Sequence, residues 1–169
     1  AGPAVAWVGE AQAMYLPRAG LLRFHRHMLY LRPDLLVVLD DLRTATPAVF
    51  THLWHGLEPF EAADRDGSFT LLRGAAALRL LPLLPKGQPA AALRTTHTFD
   101  RLPDLAKFKE TPFSELRIEG PASARYLLAT LIGIADAGAG SPPLAATLSP
   151  PWLRISKGPG GPLNIFFDL

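Results

Sequence analysis

Arg23-Phe24-His25-Arg26-His27-Met28-Leu29-Tyr30-Leu31-Arg32-Pro33-Asp34-Leu35-Leu36-Val37-Val38-Leu39-Asp40-Asp41-Leu42 is two apolar runs divided by a proline. Proline fixes φ and removes a ladder donor, so Pro33-Asp34 predicts a break between a strand over 20–32 and another over 35–41. Side chains alternate along a strand. Arg23, His25 and His27 should therefore share one face with Leu21 and Leu29, and Leu22, Phe24, Met28 and Tyr30 should share the other with Arg26. Leu35–Leu39 does not alternate, which predicts a strand buried on both faces.

The same period of two recurs on either side. Ser114-Glu115-Leu116-Arg117-Ile118-Glu119 places Leu116 and Ile118 on one face and charges on the other. Short runs at 4–8, 11–16, 48–55, 68–73, 76–82, 92–99, 124–134, 152–156 and 163–168 read the same way. Asp64-Arg65-Asp66-Gly67 between two of them predicts a hairpin, since glycine accepts the positive φ of a tight turn. The 17 prolines and 14 glycines would interrupt most helices. Only 102–110, with Asp104 as a possible cap, could form a short helix. Residues 138–143 and 157–162 read as loops. The expectation is one all-β domain over 1–169, an antiparallel β-sandwich of about ten or more short strands, with a barrel as the second choice.

Composition narrows the function classes. With 49% hydrophobic and 19% charged residues the chain is a globular type, and no apolar run is long enough for a membrane-spanning helix. A net charge of +2 gives little support for nucleic-acid binding. The absence of cysteine excludes disulfides and thiolate chemistry. The chain opens on Ala1-Gly2-Pro3, without methionine or a leader, and is expected to be processed or part of a longer parent. No nucleophile elbow, phosphate loop, dinucleotide fingerprint or HExxH helix is present.

Three groups of residues invite a functional reading. His25 and His27, two apart on one face, could bind a metal or a carboxylate, but two ligands are too few for a closed zinc site. The nearest sources of a third are His52 and His55, or Asp40 and Asp41. Strand histidines beside arginines are the plainer reading, and no metal or cofactor is expected. Asp40 and Asp41 could be an acid/base couple, yet neighbours on a strand point apart, so a structural role with Arg26 or Arg43 is preferred. Phe50, His52 and Trp54 line one face of 48–55 and could stack a sugar ring; they could equally be half of a core holding a hydrogen-bonded histidine. His97 and Tyr126 read as structural.

The blocks Ala11-Gln12-Ala13-Met14-Tyr15, Arg26 to Asp34, Val37-Val38-Leu39-Asp40-Asp41-Leu42 and Phe50-Thr51-His52-Leu53-Trp54-His55 together resemble the heparinase II/III-like polysaccharide lyases. Ala124 to Ile132 is similar to a strand near the end of the sandwich in that family. The resemblance covers about a third of the chain, in patches. It implies a bacterial lyase, periplasmic or secreted, in which an α/α-toroid precedes an antiparallel sandwich. Such enzymes cleave uronate-containing polysaccharides, glycosaminoglycan or alginate, by β-elimination. The family's sandwich carries a His-x-His-x-Asp segment and a His-Asn pair. Here no acid follows His25-Arg26-His27 at that spacing, and no His-Asn occurs.

The resemblance thus transfers Arg26 and Asp40 as framework, paired across adjacent strands, and no catalytic residue; His25 and His27 are the weak candidates. Three functions compete. The first is the sandwich domain of such a lyase, inactive alone, with an acidic polysaccharide and a toroid of the parent chain as partners. The second is a stand-alone carbohydrate-binding sandwich using His52 and Trp54. The third is a small enzyme built on His25, His27 and Tyr30.

Overall fold

The computed structural model describes residues 4–15, 20–63, 67–84, 90–97, 111–139, 145–156 and 162–167. The run behind Pro33 forms β3 (Leu35–Ala48), hydrogen-bonded on one side to β2 (Leu21–Leu31) and on the other to β10 (Ser123–Asp136). All pairs are antiparallel. The sheet extends outward to β1 (Ala4–Glu10) beyond β2, and to β7 (Ala76–Leu84), β6 (Phe69–Arg73) and β5 (Glu61–Ala62) beyond β10. Two three-stranded sheets complete the architecture. One orders β4 (Thr51–Gly56), β9 (Thr111–Glu119) and β8 (Ala90–His97); the other orders β11 (Ala145–Ser149), β12 (Trp152–Ser156) and β13 (Pro162–Phe166).

These sheets stack as three layers, which is why β3 is apolar on both faces. Val37 and Leu39 join Leu131 of β10 and Leu148, Leu153 and Ile155 of the β11–β12–β13 sheet in one core. Val38 faces the other way, with Leu80 and Ile132 against Leu116 and Ile118 of β9. A smaller cluster of Leu21, Leu42, Tyr126 and Leu128 closes one end. A non-alternating run often marks a parallel sheet under helices. Here a third β-layer supplies the second cover.

Most strand expectations hold to within a few residues, and Gly67 (φ 69°) flanks the turn at which β5 and β6 pair. The all-β sandwich therefore stands. Residues 12–15 are a correction, forming a single 3-10 turn rather than a strand. A second correction concerns Leu21. The register slips between Leu21 and Arg23, so Leu22 is an extra bulged residue and Leu21 turns to the face of Phe24 and Leu42 rather than that of His25. Pro82 sits beside another slip, opposite Thr130, where its missing donor disturbs an already irregular ladder. The helix expected over 102–110 lies outside the described residues.

Candidate functional site

Strand alternation sends the two neighbouring carboxylates to opposite sides of the central sheet. Asp40 lies directly across from Arg26. Both its oxygens accept from that guanidinium, from Nε and from Nη2, each at 2.7 Å. This fork is the geometry that an arginine makes with a carboxylate. The hydrogen bonds raise the arginine pKa further, against the opposing cost of burial. Asp41, wholly buried on the reverse face, takes the charge of Arg23 at 2.7 Å, although that N–H is not aimed well enough to count as a hydrogen bond. Two acids so separated cannot work on one bond. Arg26 and Arg43 were the expected partners; Arg23, diagonal from Asp41 across the β2–β3 ladder and on the same face, holds it instead.

His25 and His27 do lie on the Asp41 side. His25 contacts Glu10 at 3.4 Å, while His27 turns its ring edge toward Phe167 at 6.1 Å. Burial lowers the His27 pKa, and the neighbouring His25 lowers it further. Tyr30 stays on the opposite face and donates to the Pro33 carbonyl at 2.5 Å. Among the described residues no three His, Asp or Glu side chains converge on a point where a metal could bind. His55, on the outer sheet, meets Glu115 at 2.9 Å, and Arg117 reaches the same carboxylate. Arg117 first, then His55, hold the Glu115 carboxyl below the usual range. The side chain of His97 lies outside the described residues.

The Asp40 side of the sheet carries a cleft. β4 and the segment leading into it stand over β2 and β3, leaving a cleft of about 490 Å³ whose floor holds Arg26, Asp40 and Leu42. Phe24, Phe50, Leu21 and Leu128 form apolar walls, with Tyr15 and His52 also lining it. The guanidinium of Arg26 rests 5.6 Å from the centre of the Phe24 ring, which in turn lies 5.7 Å from Tyr15. Phe50 packs against Tyr126 at 5.4 Å. The stripe read from the sequence is thus divided. Phe50 and His52 line the cleft, while Trp54 lies beneath, half-buried against the Leu116 core and 4.8 Å from His52.

His52 is 5% exposed and makes no hydrogen bond among the described residues. Burial drives its pKa down to about 4, partly countered by the Asp40 charge. The ring is therefore neutral at pH 7. The unfolded chain binds this proton from the ordinary histidine value of 6.5 downward, so stability is full above that pH and falls as pH drops toward 4. The loss should reach roughly 2–3 kcal/mol. Urea titrations at pH 7 and pH 4.5 are expected to reveal it, and His52→Asn should remove most of the difference. An unchanged pH slope in that variant would assign the loss elsewhere.

No family model and no curated protein matches this sequence. Solved structures do match it by fold. The heparan sulfate lyase HepC from Pedobacter heparinus superposes with a TM-score of 0.71 over 99% of this chain, at 11% identity. A heparinase III with methylated lysines gives 0.72 over 100% at 10% identity, and another heparinase III gives 0.70 over 100% at 11%. The chain spans 26% of the length of each. No helix among the described residues is long and apolar enough to cross a membrane. This chain has the three-layered β-sandwich fold found within heparinase III-type structures.

Proposed function

We propose that this chain is the β-sandwich portion of a heparinase II/III-like polysaccharide lyase, and that it shapes a glycan cleft without carrying out β-elimination by itself. One observation carries the reading: the whole chain superposes on heparinases of which it spans 26%. The side chains agree with it. Asp40 and Asp41 are each held by an arginine on opposite faces, and Tyr30 is turned away from His25 and His27. Nothing there offers a base and an acid on one face within reach of a uronate C5 proton and its leaving oxygen.

The test is the ultraviolet absorbance of unsaturated uronate products. The 169-residue chain, incubated with heparan sulfate, heparin, hyaluronan, chondroitin or alginate, is expected to give none. The full product of its gene, including whatever precedes Ala1, is expected to give product with at least one polymer. Product formed by the isolated chain and abolished in His25→Ala or His27→Ala would overturn the framework role of those histidines. A full-length product inert on every polymer would remove the lyase assignment.

A further inference from the structure

The cleft beneath β4 presents polar groups with hydrogen-bonding capacity to spare. His52 is 95% buried, lines the cleft, and has no hydrogen-bond partner among the described residues. A neutral imidazole offers one donor and one acceptor. Next to it Arg26 spends two of its five N–H donors on Asp40, and its side chain is 44% exposed. The cleft therefore presents directed hydrogen-bonding groups above apolar and aromatic walls.

Net charge decides which ligand fits. Arg26 is already matched by Asp40, and His52 is uncharged at pH 7, so the floor is close to neutral. An anion entering it would lose its water without gaining a free cation in return. A ring with hydroxyls on its edge and C–H groups on its face meets both demands: the edge can bond His52 and Arg26, and the face can lie on Phe24 or Phe50. A volume of about 490 Å³ falls within the ~300–1,000 Å³ of small-molecule sites. We propose that this cleft binds an uncharged pyranose unit, held by His52 and the spare donors of Arg26, and that it discriminates against uronate. Choosing a sugar over other uncharged hydroxylated rings rests on the polysaccharide reading above.

Histidine ring resonances of the intact 169-residue chain, followed by NMR during titration at pH 7, test this directly. N-acetylglucosamine is expected to shift the His52 resonance saturably in the millimolar range, with glucuronate at least tenfold weaker. Tyr15→Ala keeps the His52 reporter and serves as the variant. Tyr15 is exposed at the rim, and its loss should weaken binding about threefold without unfolding the chain. No saturable shift with N-acetylglucosamine, or glucuronate binding as tightly, overturns the proposal. The readout needs no turnover. An inert full-length product with a responsive His52 therefore removes only the lyase reading, and an active one with a silent His52 removes only this site.

Discussion

Leu39→Ala is expected to lower the unfolding free energy by about 3–4 kcal/mol, within the range for fully buried leucines. The side chain is 0% exposed and belongs to the core shared by β2, β3, β7, β10 and the β11–β12–β13 sheet. Its backbone is held on both sides, by His27 of β2 and Ala129 of β10. With ladders on both edges and a second sheet above, the site has little freedom to collapse into the space left by the lost methyls. The cost should therefore sit above the bare transfer term for the removed groups. For a chain of this size that corresponds to a drop in melting temperature of roughly 10 °C. Leu22→Ala is the matched control. It shortens the same residue type at the bulge, where the side chain is 66% exposed, and should change stability by no more than about 0.5 kcal/mol. Thermal and urea melts that gave equal losses would contradict the three-layer arrangement, since a sheet covered on one face only could let Leu39 relax toward solvent.

Leu39 also marks how far the sequence could be read. An apolar run without alternation means cover on both faces, and that inference needed no partner to be known. The opposed directions of Asp40 and Asp41 followed from the pleat alone. What escaped depends on pairing. The bulge at Leu22 leaves no mark in composition, because any residue can be the extra one; yet it turns Leu21 into the cleft wall. The diagonal approach of Arg23 to Asp41 likewise depends on which strand residues pair. Residues 145–149 carry a single large apolar side chain, Leu148, and were not among the expected strands, but they pair with β12 and bury that leucine in the core. Residues 12–15 alternate too little to resist a 3-10 turn. The cleft itself is non-local. The Phe50-His52-Trp54 stripe was visible, but its position over Arg26 and Asp40 is a matter of how one sheet lies on another. For the same reason the sequence suggested a hydrogen-bonded core histidine at position 52, whereas among the described residues that ring packs on Trp54 without a hydrogen bond.

Removing either half of the Arg26–Asp40 fork should have unequal consequences, and the inequality is the useful quantity. Asp40 is 1% exposed, and its neighbours across the ladders are Arg26 and Leu128. Arg26→Ala strands a carboxylate in that layer with no counter-charge, for a loss of about 3–4 kcal/mol, the low end of what breaking a buried pair costs. The low end applies because Arg26 is 44% exposed, so its departure admits some water to Asp40. Asp40→Ala leaves the opposite residue. The guanidinium can then swing into solvent on its flexible stem, and the cost should be nearer about 1–2 kcal/mol, mainly lost hydrogen bonds and contact area. The double variant should be more stable than Arg26→Ala alone, since it deletes the stranded charge. Urea melts of the three variants at pH 7 measure all of these terms, and the coupling follows from the cycle. If Arg26→Ala proved no worse than Asp40→Ala, the pair would be an exposed ion pair of small net value, not the anchor that fixes β2 on β3 beneath the cleft.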